Sequence, residues 1–328
     1  MRKSTVSVAI ATYNRRTMVR EAIDAALAQT HAPLEVCVAD DASSDGTWEM
    51  LTETAADASR VRAFRHEINT GGVGNWNFAI QQTRGEYIAW CSDDDRFLPD
   101  HLETAVKYLD EHPGIGLVHS GFIDSIETSQ GCTRTERPLR FERTMVLDKD
   151  SLLTYLVRYY DWPFHPSTIV MRRAVWEKVG PFDPRYSLAD TDWFVRAVER
   201  FPTAMLARHG VVNRRHPGNW SNRLGSAKMQ REICGIVEGA IGRLFPTEPI
   251  VRWTWTRLWR TNVRLRLLLT AWVRMRTGHG DAACTAWSEA VRGILPAPLW
   301  QLGNGWIRRR SARRVPQFES ARQSVSPL

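Results

Sequence analysis

Short apolar runs alternating with helix-period segments constrain the fold of this chain more than any other feature. Val6-Ser7-Val8-Ala9-Ile10-Ala11 reads as a strand, and Thr17 to Gln29 as a helix with Met18, Ala22, Ala25 and Ala26 on one side. Leu34 to Ala39 is a second strand ending at Asp40-Asp41, and Ser43-Ser44-Asp45-Gly46 is turn chemistry ahead of a helix near 47–58. Val61 to Arg65 is a third strand. The glycine-rich turn Asn69-Thr70-Gly71-Gly72-Val73-Gly74 then opens a helix from about Asn75 to Thr83. A strand over 86–91 follows, and Pro99 starts the next helix at its favoured first-turn position. Alternation at this spacing specifies a mostly parallel sheet with helices on both faces. Farther along, 115–124 and 167–171 read as strands, and 148–160, 190–200 and 228–245 as helices.

The strand near residue 90 carries the chemistry. Tyr87-Ile88-Ala89-Trp90-Cys91-Ser92 runs into Asp93-Asp94-Asp95. Open α/β sheets bind ligands at the carboxyl ends of their strands, and three adjacent acids there repel one another unless a cation compensates them. A hard divalent ion such as Mg²⁺ or Mn²⁺, shared with phosphate oxygens, suits such a site. Asp40-Asp41 ends a second strand of the same sheet, so the two clusters share one crevice. A third cluster, Asp190-Thr191-Asp192, opens a helix, where carboxylates also serve as caps.

Composition narrows the alternatives. The chain has 328 residues, 43% apolar and 24% charged, enough for a full core and two structural units. Cys37, Cys91, Cys132, Cys234 and Cys284 lie far apart with no CxxC pair, which argues against structural zinc and a disulfide framework. Gly72-Val73-Gly74 lacks the third glycine of a dinucleotide fingerprint, since Asn77 stands there, and no P-loop pattern occurs. Met1-Arg2-Lys3-Ser4 leads into a strand pattern without a signal-peptide core, and no uncharged apolar window of about 18 residues occurs. A cytoplasmic location is expected.

Several ordered motifs resemble the family 2 glycosyltransferases. Val6-Ser7-Val8-Ala9-Ile10-Ala11-Thr12-Tyr13-Asn14-Arg15 is similar to the family's opening, and Val38-Ala39-Asp40-Asp41-Ala42-Ser43-Ser44-Asp45-Gly46-Thr47 to its DDxSxDGT signature. Asn69-Thr70-Gly71-Gly72 with Asn77, then Arg84-Gly85-Glu86-Tyr87-Ile88 before the Asp triplet, continue the likeness. Gly180-Pro181-Phe182-Asp183 ahead of Asp190 resembles the GxFD…ED motif, and the match covers about residues 5–220. The resemblance implies a GT-A (nucleotide-diphospho-sugar transferase) fold over residues 1–222; beyond it, composition and patterning indicate a helical, basic, Trp-rich region over 223–310 and a disordered tail over 311–328.

The resemblance also assigns roles. It places Ala11, Tyr13 and Asn14 beside the nucleotide, Asp41 and Asp40 at its base, Asn69, Gly72 and Asn77 in the same half, and Asp93 near the ribose. Asp94 or Asp95 would hold Mn²⁺ or Mg²⁺ on the diphosphate, with His216 reaching the metal once its loop closes. Asp190 would be the catalytic base, with Asp192 the alternative. Ser92 and Ala189 depart from the pattern, each where the family has an acid. A divalent cation neutralises charge developing on the leaving phosphate, and a carboxylate takes the proton from the attacking hydroxyl. The implied reaction is inverting transfer from a nucleoside-diphosphate sugar, a UDP-sugar being commonest, in polysaccharide or cell-envelope glycan synthesis. A glycan, a lipid-linked molecule or a small molecule would be the acceptor. The rivals are an inactive sugar-nucleotide-binding or scaffold protein, and a nucleotidyltransferase, which would carry a glycine-rich basic loop in place of Thr12-Tyr13-Asn14.

Other polar residues fall at its edges. His165, in Trp162-Pro163-Phe164-His165-Pro166, belongs to an acceptor-side loop, and Arg134, Arg137, Arg140 and Arg143 solvate a loop near 127–147.

The net charge of +8 is unevenly distributed. Residues 250–328 hold fourteen Arg, no Lys and three acids, or +11, together with seven of the fourteen Trp. Trp255, Leu258, Leu265, Leu269 and Trp272 form one helical stripe, with Arg252, Arg257, Arg260 and Arg264 mainly opposite. Such a helix either lies on an anionic membrane surface, making the protein peripheral, or packs on the catalytic domain. No nucleic-acid-binding module occurs, so nucleic acid is not an expected partner.

Overall fold

The computed structural model describes residues 4–128, 131–136, 142–159, 165–219, 226–276 and 280–291, together with Asn304 and Ile307. The chain begins β1 (Val6–Thr12), α1 (Arg16–Leu27), β2 (Glu35–Asp40), α2 (Thr47–Asp57), β3 (Val61–Arg65), α3 (Gly72–Gln81) and β4 (Tyr87–Ser92). These strands pair only in parallel, β2 and β4 flanking β1 and β3 lying outside β2. Every residue of β1 and β2 is buried, as expected for strands covered on both faces. On α1 the buried side is Val19, Ala22, Ile23 and Ala26, a step around from the expected Met18 and Ala25. The helix after the glycine-rich turn starts at Gly72, three residues earlier than its sequence indicates.

The second half is less regular. It comprises β5 (Arg96–Phe97), α4 (His101–Glu111), β6 (Leu117–Thr128), β7 (Gly131–Glu136), β8 (Met145–Leu147), α5 (Lys149–Tyr159), β9 (Ile169–Arg172), α6 (Arg173–Val179), α7 (Ala189–Val198) and β10 (Thr203–Arg215). The sheet order is β3-β2-β1-β4-β9-β6-β10-β5. β9 joins β4 and β6 antiparallel, whereas β6 and β10 run parallel, so the sheet is mixed beyond β4. The segment 127–147, expected as a loop, contributes β7 antiparallel to β6 and β8 antiparallel to β10. Pro99 precedes α4, which starts two residues later at His101.

β10 and β5 position the site. The two-residue β5 pairs with Val211 and Val212, so the chain crosses directly from the Asp triplet to the end of β10. That brings the loop after β10 beside the end of β4. The β6–β10 register slips on both sides of His209. At Gly210 a Cβ would lie 2.5 Å from Ser120 Oγ and collide with the His101 ring. Gly85 is required at the entry to β4, where a Cβ would fall 2.6 Å from the Ser7 amide nitrogen.

Three helices complete the described elements: α8 (Ser226–Leu244), α9 (Pro249–Arg276) and α10 (Gly280–Val291). The chain divides into two compact units, Met1–Gly225 with Gly235–Leu244, and Ser226–Cys234 with Phe245–Leu328. In the second, α9 packs along α10, and Met275, Cys284 and Ile307 form a small core with Trp287. The tail 311–328 lies outside the described residues, as do Arg137, Arg140, Trp162, Pro163 and Phe164.

Candidate active site

The loop after β1 joins the ends of β2 and β4. The Thr12 carbonyl accepts from the Asp41 amide at 3.0 Å. The Thr12 hydroxyl donates to Asp93 Oδ2 at 2.8 Å. One residue therefore ties together two of the acidic clusters. Asn75, buried at the start of α3, donates to the carbonyls of Thr12 and Ala39 at 3.2 and 2.9 Å. Asn14 adopts a left-handed φ of 52°, which its short amide tolerates. From there its amide N–H donates to Ser43 Oγ and its side-chain oxygen accepts from the Ser44 amide, both at 2.8 Å. Tyr13, beside Asn14 in the same loop, is left 48% exposed.

The Asp triplet faces three ways. Asp93 accepts from Thr12 and from Arg15 Nη1, the latter at 2.7 Å. Asp94 Oδ2 gathers Arg15 Nη1 at 2.7 Å, His216 Nε2 at 3.2 Å and Asn219 Nδ2 at 3.1 Å. Asp95 turns inward, accepting from Ser167 Oγ at 2.5 Å and the Arg214 amide at 3.1 Å, with His165 Nδ1 3.3 Å away. The sequence left the metal ligand open between Asp94 and Asp95. Asp95 is fully buried with both oxygens engaged, so Asp94 is the member left to meet a ligand.

Electrostatics follow from this packing. Burial pushes the Asp93 carboxyl up to about 6, with Arg15 and Thr12 opposing and Asp94 adding to the rise. Burial likewise raises Asp95, against the pull of His165. Burial alone would lower the Arg15 guanidinium, but Asp93 and Asp94 outweigh it and hold its pKa raised. A further positive charge would relieve these carboxylates. Among the described residues no group of three or more His, Cys, Asp or Glu is arranged as a complete metal cage. The residues present fit a shared ion instead: Asp94 and His216 converge from two elements, and Asp94 Oδ1 accepts from none of the described residues. A hard cation bound through one or two protein ligands and substrate phosphates requires no more.

The third cluster divides in two. Asp192 is buried and accepts from Arg196 Nε at 2.8 Å, while the same guanidinium donates to the carbonyls of Val179 and Pro181. It braces the turn between α6 and α7. Asp190 is half-buried and accepts from the Thr191 amide at 2.8 Å. Burial raises its carboxyl, with the Thr191 N–H and the nearby charge of His165 opposing. Thr12 thus links the Asp41 and Asp93 ends by hydrogen bonds, whereas Asp190 is related to the triplet only through the charge of His165, which lies 3.3 Å from Asp95.

Several expected nucleotide contacts have structural tasks. Asp40 is buried, pairing with Arg65 at 3.4 Å and accepting from the Ser43 amide. Both Asp41 oxygens are taken by Thr70 N, Thr70 Oγ1 and Gly71 N at 2.7–2.9 Å. These bonds hold both acids in the rim, and the buried Asp40 Oδ1 is left without a donor among the described residues. Asn69 donates to the Asp41 carbonyl and accepts from Gly71 N, within the same rim. Asn77 exchanges two bonds with the Phe182 main chain, at 2.8 and 3.0 Å. Gly72 is exposed at the start of α3, and Ala11 lies buried opposite Ser92. Arg15 and Thr12 were missed as site residues; their place in the turn after an apolar strand is the signal that could have found them.

Comparison with known proteins identifies the family and the fold. The family described as Glycosyl transferase family 2 matches residues 7–180, more than half of the chain. An uncharacterized glycosyltransferase of Nostoc sp. is 29% identical over 181 residues, covering 55% of this chain and 54% of that protein. An uncharacterized protein of Mycobacterium bovis is 40% identical over 111 residues, covering 33% and 32%. The chain thus spans about half or less of these relatives' length. Among solved structures, S. aureus TarS 1-349 in complex with UDP-GlcNAc matches with a TM-score of 0.60 at 15% identity, covering 94% of this chain and 88% of that one. The mannosyltransferase PcManGT from Pyrobaculum calidifontis, in complex with GDP-Man and Mn²⁺, matches with a TM-score of 0.55 at 20% identity, covering 95% and 85%. The fold is accordingly that of GT-A glycosyltransferases, and the chain belongs to glycosyl transferase family 2.

Proposed function

We propose that the protein transfers a sugar from a nucleoside-diphosphate donor, a UDP-sugar first among candidates, to a hydroxyl acceptor with inversion at the anomeric carbon. The acceptor is a glycan, a lipid-linked molecule or a small molecule of cell-envelope polysaccharide synthesis, met on the cytoplasmic face of the membrane. The observation that carries this reading is the meeting of Arg15, Asp93, Asp94, His216 and Asn219 at the end of β4. The sugar nucleotides bound by the two structural neighbours support a donor of that class.

The residues divide the work. The exposed Tyr13 ring offers a face to the base, beside the rim built by Asn14, Asp41 and Asn69. Asp93 lies where a ribose would approach, held by Thr12 and Arg15. Asp94 and His216 would hold Mn²⁺ or Mg²⁺, which supplies charge neutralisation on the departing diphosphate. Asp190 accepts the proton as the acceptor oxygen bonds to the anomeric carbon and the bond from that carbon to the phosphate oxygen breaks. His165 counteracts the effect of burial on Asp190 and so favours the ionised form that a base requires.

The test is a panel of sugar nucleotides with Mn²⁺, read by nucleoside-diphosphate release and by thermal shift. Turnover with one donor is expected, and Asp190→Asn should lower kcat by roughly 10²–10⁴-fold while leaving the donor-induced shift in place. Donor binding without turnover would assign the chain to sugar-nucleotide binding, and pyrophosphate release from a nucleoside triphosphate and a sugar 1-phosphate, assayed alongside, to nucleotidyl transfer.

A further inference from the structure

The C-terminal basic helix resolves into two apolar faces. At 3.6 residues per turn, Leu258, Leu265, Leu269 and Trp272 fall within an arc of roughly 60°. All four face solvent, at 50%, 61%, 60% and 48% exposure. The packing of α9 is carried elsewhere on its surface, by the buried Trp259, Val263, Ala271 and Met275. The stripe expected from sequence is therefore not the face that packs, and Trp255 sits half-buried at its edge. Arg257 and Arg266 lie about 90° to either side of the stripe's centre, and Arg252, Arg260 and Arg264 lie farther round, mainly opposite it as expected. Arg257 lies beside the exposed Trp253, 5.4 Å from its ring. The helix carries seven Arg and no acid over its 28 residues.

We propose that this face docks the protein on an anionic lipid surface, with α9 lying flat. Leu258 to Trp272 gives an apolar strip about 21 Å long, with Trp272 at one end and Trp255 at its edge, the composition that suits a headgroup boundary. Among the described residues no helix is long and apolar enough to cross a membrane, so the helix lies on the surface and does not enter it end-on. Charge decides the occupant. A second copy of the same face would set arginines against each other with no acid on the helix to pair them. A phospholipid surface of negative charge meets the apolar strip together with Arg257 and Arg266 at its two sides, whose long side chains reach the headgroups. Docking needs no donor, so its failure would leave the proposed reaction standing.

The experiment uses the full chain and vesicles of phosphatidylcholine with and without one-third phosphatidylglycerol, read by co-sedimentation and tryptophan emission. Binding to the anionic vesicles alone is expected, with a blue shift and a loss at high salt. Leu258→Ser/Leu265→Ser/Leu269→Ser should weaken partition at least roughly tenfold. Arg257→Gln should weaken it by about fivefold. Both variants alter exposed side chains, and an unchanged melting temperature confirms their folding; should the triple variant unfold, quenching of wild-type tryptophan by a lipid-borne quencher gives the same readout. The proposal is overturned by equal affinity for neutral vesicles or by none for either. Tighter binding to an RNA homopolymer than to vesicles also overturns it, as does self-association that the leucine substitutions abolish.

Discussion

Arg15→Met tests the electrostatics of the site most directly. Arg15 Nη1 lies 2.7 Å from both Asp93 and Asp94, with the three side chains 24%, 9% and 11% exposed. Charge centres about 4 Å apart at an effective dielectric near 20 attract by about 4 kcal/mol per pair before desolvation is counted. Removing one partner of a buried pair costs about 3–5 kcal/mol, and the quarter exposure of Arg15 reduces this to about 2–3 kcal/mol. At about 2–4 °C per kcal/mol, the variant should melt roughly 5–10 °C below wild type in a chelator. Mn²⁺ should then stabilise the variant more than wild type, because the ion meets two carboxylates that no guanidinium compensates. Differential scanning fluorimetry with and without Mn²⁺ reads both effects. A melting point within about 1 °C of wild type in chelator, or equal Mn²⁺ shifts in the two proteins, would refute the account.

Asp192→Asn should cost stability but keep the turnover of the folded fraction, because Asp192 braces Arg196, whereas Asp190→Asn should do the reverse; kcat corrected for active protein separates them. Burial pushes His101 down to about 4 and His119 down to about 3, so both are neutral in the fold. Unfolded, they protonate near 6.5, so their contribution is complete above that pH and is lost as pH falls toward 4 and 3, at about 1.4 kcal/mol per unit per group. Urea titrations across this range should show the slope, and His101→Phe should flatten it. Gly85→Ala places a Cβ 2.6 Å from β1 backbone and should destabilise by roughly 1–3 kcal/mol, while Gly72→Ala, where a Cβ meets nothing within 4 Å, should melt as wild type does.

The parallel half of the sheet was legible because its strands are uniformly apolar and its turns chemically distinct. β3 falls on Val61–Arg65 as read, and β1, β2 and β4 shift by a residue. β10 was missed because Arg208, His209 and Gly210 interrupt its apolar pattern where the register slips. β5 and β8 are too short for any period to register. Within the site, residue type located the acids but not their orientation. Asp93, Asp94 and Asp95 are consecutive and chemically alike, yet strand geometry and the arrival of Ser167 and Arg214 turn Asp95 inward. Asp190 and Asp192 were indistinguishable for the same reason, until Arg196, one turn on, claimed the second. Asn77 lay in a motif of the nucleotide half, and only tertiary contact discloses its bond to Phe182.

That bond has a consequence for engineering. Phe182 sits among Trp76, Trp90, Trp176 and Trp193, with ring centroids 4.5–6.0 Å away, and Asn77 clips its main chain to α3. The segment preceding Asp190 is thereby keyed to a helix from the opposite half of the polypeptide. A chimera that swaps the later half to change acceptor preference will fold well only if Asn77, Trp76 and Trp90 come from the same parent as Phe182. Recombination boundaries drawn between residues 90 and 182 should therefore yield fewer folded hybrids than their distance from the Asp triplet would suggest.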